Sequence, residues 1–214
     1  MTATDGEKTE RGITVSRLTT LTDGIFAISM TLLFWTINLP GTGKALAPMT
    51  VRSFFTDQFQ EFFNCAVSFL LLANFWIMHH QQFHYIKRTE RRHMWINLII
   101  LMFTALVPFS TSLVGDYPRQ TIPAFFFASN MFILGMLFLC NWMYATKEYR
   151  LIGPSLDIKH IKLIRRRSLV LPLVGLLAMV MAVVYPLASL YVFLLVPVII
   201  FAPQIYERRG KGRK

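Results

Sequence analysis

What most constrains this chain is a series of long apolar stretches, at about Ser16–Leu39, Phe54–Ile86, Trp95–Val114, Ile122–Ala145, Leu169–Pro186 and Leu187–Ile205. Crossing a bilayer takes about 20 mostly apolar residues in a helix. Hydrocarbon offers no water to an unpaired peptide group, so the backbone must satisfy its own hydrogen bonds. The expected fold is therefore an all-α integral membrane protein with six transmembrane helices. The second stretch is long enough to tilt or to project beyond the membrane. Pro172, Pro186, Pro197 and Pro203 interrupt the last two, where only the Pro186 region reads as a turn and a re-entrant pair is the alternative. Composition agrees, because 54% of residues are hydrophobic and 15% charged, whereas soluble domains carry about 25% charged residues. Residues 1 to 15 form a polar tail without the apolar core of a secretory signal. Residues 16–205 hold the helices, and 206–214 form a basic tail.

Charge gives the expected orientation, since Lys and Arg accumulate on the cytoplasmic side of membrane proteins. The N-terminal flank holds Lys8, Arg11 and Arg17, and the second loop Lys87, Arg88, Arg91 and Arg92. The fourth loop holds Lys147, Arg150, Lys159, Lys162 and Arg165 to Arg167, and the C-terminal tail ends in a further basic run. Opposite them stand Lys44, Arg52 and Arg119. Both termini are thus expected in the cytoplasm. The net charge of +11 reads as a topology signal rather than a nucleic-acid footprint, so the expected partners are the bilayer and no nucleic acid. A polybasic tail can also touch anionic lipid.

Enzyme chemistry has no support: no nucleophile elbow, phosphate loop or catalytic carboxylate pair stands in the loops. Cys65 and Cys140 both fall inside spans and read as packing residues. His80 and His84 share a helical face with His79 nearby, but a zinc site needs further ligands and an outer shell that the sequence does not offer. No metal and no cofactor is expected.

Asp23 stands apart, because an ionisable group inside an apolar span is costly unless paired or hydrated. Arg17, six positions earlier, falls on another helical face, so partners are sought on other helices. The start of the first helix, the end of the second and the start of the third share one membrane half. That places Trp76, His79, His80, His93, Trp95 and Asn97 within reach of Thr22 and Asp23. The plainer reading is a polar network that joins helices; the functional one adds gating or pH sensing through a histidine.

These residues also carry a resemblance. Arg17-Leu-Thr-Thr-Leu-Thr-Asp23-Gly24 resembles the RxxxFSDG signature of the transmembrane protein 175 family, the endolysosomal and bacterial potassium channels, with Leu21 in place of Phe and Thr22 in place of Ser. Ile25 to Leu33 is similar to that family's first helix, Phe75 to Phe83 to its second-helix ending, and Trp95-Ile-Asn97 with Pro108-Phe109 to its third-helix pattern. The resemblance covers roughly the first 115 residues. It implies a potassium-permeable channel in a plasma or inner cell membrane, a homotetramer of six-helix subunits whose first helices surround the pore. It also implies a pore without a TVGYG filter, conducting potassium, with other monovalent cations as further candidates.

The first helix can be read for such a role on its own geometry. With Ile28 at zero, Thr31 falls at about −60°, Leu32 at about +40° and Trp35 at about −20°. This face is apolar apart from one hydroxyl and by default is a core or lipid surface. In a channel it would be a hydrophobic constriction that closes by excluding water, with Thr31 offering oxygen to a dehydrating cation. By resemblance, Ile28 takes the family's narrowest apolar position and Thr31 its hydroxyl ring, while Trp35 stands where a smaller aliphatic residue is usual.

Three other readings compete. Ser112 to Tyr117 faintly echoes the TVGYG filter, but such a filter needs a pore helix and a re-entrant loop, and too few residues separate the third and fourth spans. A proton-coupled secondary transporter would use Asp23 and the second-helix histidines as a relay, although no inverted repeat is visible. A non-conducting helical scaffold is the third.

Overall fold

The structure, a computed structural model, describes residues 14–37, 51–153 and 156–199, with side chains from residue 58 onward in the second segment. Lys8, Arg11, Lys44 and Pro203 lie outside the described residues, as do the side chain of Arg52, both chain ends and the far end of the sixth stretch.

Helix α1 (Val15–Leu32) begins at Thr14, whose hydroxyl accepts from the Arg17 amide at 3.4 Å. Its threonines fold back on the backbone: Thr22 donates to the Leu18 carbonyl at 2.9 Å and Thr31 to the Ile28 carbonyl at 2.8 Å. That is how β-branched hydroxyls are tolerated in a span. The helix tightens to a 3-10 turn over Leu33–Thr36. Helix α2 (Val51–Tyr85) runs 35 residues. Helices α3 (Arg91–Ala105) and α4 (Val107–Asp116) together make one span bent at Leu106. The bend follows from Pro108, which has no N–H to give to the preceding turn. Helix α5 (Thr121–Thr146) and helix α6 (Ile158–Val184) complete five helices long and apolar enough to cross a membrane among the described residues. No strand occurs among them.

One boundary differs from the sequence reading. Helix α6 starts at Ile158, not near Leu169. Asp157 caps it by accepting from the Lys159 amide at 3.1 Å, and no Gly or Pro intervenes before Pro172, so the basic run of the fourth loop is helix. At the other end α6 stops at Tyr185, where φ −138° and ψ 80° leave the helical region. Pro186 opens helix α7 (Pro186–Ser189), the start of an apolar helical stretch to Ile199 that is shorter than the other five. This last stretch is packed on the bundle: Tyr191 stacks on Phe63 of α2 at 4.6 Å, and Phe193 meets Phe127 of α5 edge-on at 5.5 Å.

Helices α5 and α6 cross closely. A methyl at Gly135 would lie 2.8 Å from Pro172 Cδ, and one at Gly175 would lie 2.9 Å from the backbone of Phe132. Small residues let spanning helices meet backbone to backbone where lipid supplies no hydrophobic drive. The main core packs around this crossing, with Phe75, Leu72, Ile100, Leu134 and Phe138 fully buried.

The α2–α3 and α5–α6 loops are clasped together. Ile86 bridges Ile152, the Lys87 amide donates to the Leu151 carbonyl at 2.9 Å, and Arg88 Nε donates to the Arg150 carbonyl at 2.7 Å. Glu90 accepts from the Tyr144 hydroxyl and pairs with Arg150 at 3.7 Å. Glu148 and Tyr149, both at φ 54°, turn the chain back into the clasp. The two basic loops therefore share one end of the bundle.

Candidate functional site

The buried side of α1 is set by Leu18, Thr22, Phe26, Ser29 and Leu33, all within 2% of full burial. These positions recur every three or four residues, so they form one face. They dock on α2, α3 and α4, where Cys65 Sγ reaches the Leu33 carbonyl at 3.5 Å. The opposite face has no cover from the described residues: Ile28 is 56% exposed, Leu32 44% and Trp35 85%, with Gly24, Ala27 and Thr31 also exposed. The 3-10 turn changes one angle, because at 120° per residue Trp35 eclipses Leu32 rather than falling between Ile28 and Thr31. The Thr31 proton is committed to the Ile28 carbonyl, which leaves the hydroxyl's oxygen lone pairs turned to the open face.

Nearer the start of α1 and off the Ile28 face, Asp23 accepts a hydrogen bond from Trp76 Nε1 of α2 at 2.9 Å. His80 lies beside Trp76, with ring centroids 6.0 Å apart. Arg17 is exposed and makes no contact with Asp23 among those described. Of the remaining polar candidates, His79 lies within electrostatic reach of Asp23, His80 and Asn97. His79 is buried, stacked on Phe83 at 4.0 Å. Trp95 is 54% exposed on α3. Asn97 belongs to a chain inside the bundle. It donates to the His93 carbonyl at 2.8 Å and to Asn141 Oδ1 at 3.0 Å; Asn141 donates to Gln82 Oε1 at 2.9 Å, and Gln82 to the Phe138 carbonyl at 3.1 Å.

Gln82 and Asn141 escape the sequence reading, as does a second buried group in which Thr111 donates to Ser68 at 2.8 Å and Asn130 to Ser110 at 3.4 Å. A signal for them exists. Asn130 and Asn141 are eleven residues apart, about three helical turns, so both point from one face of α5, and Gln82 continues the face of α2 that carries Phe75 and His79.

The polar pieces inside the subunit can hold helices together, while the Ile28 face of α1 is a long face of a spanning helix left uncovered among the described residues. Comparison with known proteins bears on what such a face does. The family model of the endosomal/lysosomal potassium channel TMEM175 matches residues 17–108. A potassium channel of Streptomyces collinus is 32% identical over 145 residues, 66% of this chain and 69% of the relative. A potassium channel of Chamaesiphon minutus is 27% identical over 154 residues, 71% of this chain and 73% of the relative. In fold, the chain is similar to the crystal structure of a lysosomal potassium-selective channel TMEM175 homolog from Chamaesiphon minutus, with a TM-score of 0.76 and 24% identity over 89% of this chain and 97% of that one.

Proposed function

The chain belongs to the TMEM175 family of potassium channels, and from that premise we propose that it is a multi-pass, potassium-permeable channel in which four copies surround a pore lined by α1. The carrying observation is the uncovered face of α1. An isolated subunit buries Ser29 and leaves Ile28, Thr31, Leu32 and Trp35 open, on a helix that one subunit supplies once and a narrow path needs several times. Four Ile28 side chains would form a ring that water wets poorly, and Thr31 would present hydroxyl oxygens one turn further on. A TVGYG filter forms no part of this reading: Ser112 to Asp116 is helix, whereas that filter presents carbonyls from a non-helical loop. The termini and the clasped basic loops lie on the cytoplasmic side. Potassium is the permeant ion, not a resident cofactor, and no catalytic role is assigned.

Native mass spectrometry of the purified protein tests the assembly, with a homotetramer as the expected species; a stable monomer or dimer would remove the pore.

The Asp23–Trp76 bond would fix the base of α1 against α2 rather than select ions, because Asp23 lies about 140° around the helix from Ile28. A charge-assisted hydrogen bond is worth at most about 1.5 to 3 kcal/mol. Asp23→Asn is therefore expected to lower tetramer yield or thermal stability and leave the potassium-to-sodium preference unchanged. Size-exclusion profiles beside reversal potentials check this, and an altered preference in normal tetramers would place Asp23 in the ion path.

A further inference from the structure

The outward face of α6 has two parts. Over its first turns Lys159, Lys162, Arg165 and Arg166 are exposed, flanked by Ile158 at 56% and Leu163 at 46% exposure. The inward side of the same turns is anchored, since Ile164 is buried and Trp142 Nε1 of α5 donates to the Ile161 carbonyl at 3.1 Å. None of the four cations forms an ion pair among the described residues; the carboxylate of Asp157 is engaged by the Lys159 amide at the cap. At 100° per residue the four lie within one sector of about 120°. The same sector continues without charge through Leu169, Leu173, Leu176, Leu177, Val180 and Val184, all exposed. A rigid helix therefore carries a cationic strip leading into an apolar strip of about 23 Å.

We propose that this face binds an anionic phospholipid, its phosphate headgroup held by Lys159, Lys162, Arg165 and Arg166 and its acyl chains laid along the leucine and valine strip. The charge pattern selects this occupant over a second copy of the chain, because identical strips facing each other would bring eight cations together. It selects it over a zwitterionic lipid because the cations lack acidic partners among the described residues, and each basic residue near an anionic surface adds about fivefold to the attraction. The inference needs only that the chain is embedded in a membrane and holds whether or not it conducts.

The test is native mass spectrometry of the full-length protein titrated with phosphatidylglycerol or with phosphatidylcholine of the same acyl chains. The parent protein is expected to retain phosphatidylglycerol at least about tenfold better. Lys159→Gln, Lys162→Gln, Arg165→Gln and Arg166→Gln combined should remove that preference. A control carrying Lys87→Gln, Arg91→Gln and Arg92→Gln, on the α2–α3 loop and the first turn of α3, should keep it. If the fourfold variant does not fold, Lys162→Gln with Arg166→Gln is read instead and should lower the preference severalfold. Equal retention of both lipids by the parent, preference surviving in the α6 variants, or equal loss in the control would each overturn the assignment.

Discussion

Ile28→Asn is expected to raise the potassium conductance of reconstituted protein by at least about tenfold, the change that follows when about 1.4 kcal/mol is taken from a barrier. The argument runs from side-chain chemistry. Four branched apolar groups facing one another leave water in the gap without hydrogen-bond partners, so the gap dewets and an ion would have to shed its shell to cross. An amide of similar size offers donors and acceptors in the same place. Thr31→Ala should act differently, leaving conductance in place but weakening the preference for potassium over sodium, because the hydroxyl on that face is lost. Currents through Ile28→Asn equal to the parent's, at matched tetramer yield, would remove Ile28 from the path. Rotating α1 toward Ser29 would not rescue the account, since Ser29 is 2% exposed and packed within its own subunit.

Gly175→Ala is expected to destabilise the folded protein by about 1 to 3 kcal/mol, the usual cost of forcing extra volume into a filled core. The new methyl would stand 2.9 Å from Phe132 Cα and 3.0 Å from its amide nitrogen. Those are backbone atoms of α5 and cannot turn aside as a flexible side chain would. Gly115→Ala serves as the contrast, because its methyl would meet Asn64 and Glu61 only at 3.9 Å, an ordinary contact. Thermal unfolding in detergent, followed by fluorescence-detected size exclusion, should show a lowered midpoint for Gly175→Ala and little change for Gly115→Ala. Equal midpoints would mean that the α5–α6 crossing is looser than described.

Hydropathy made the first five spans legible, and helical spacing grouped Ile28, Thr31 and Leu32 on one stripe that the family resemblance singled out, because membrane length and helical period are both one-dimensional signals. What escaped was set by capping and by partners distant in sequence. Lys159 to Arg167 reads as loop by charge, yet Asp157 caps it and nothing breaks it. The third span reads as continuous in sequence, and the break at Leu106 beside Pro108 is not foreseen there. Asn141 is a single polar residue in an apolar run and Gln82 one of several polar residues at the end of α2, and their pairing depends on which faces α2, α3 and α5 turn to each other. Asp23 was conspicuous as a lone carboxylate, whereas the selection of Trp76 over the neighbouring histidines required the helix packing.

The central claim is that four α1 faces enclose a potassium path, and the most direct measurement is the reversal potential of currents through purified protein in a planar bilayer under opposed potassium and sodium gradients. The account predicts discrete, voltage-driven currents that reverse toward the potassium equilibrium potential and are enlarged by Ile28→Asn. Slow, saturable flux coupled to a proton gradient, or reversal indifferent to potassium, would contradict it and favour a carrier built on Asp23 and the α2 histidines.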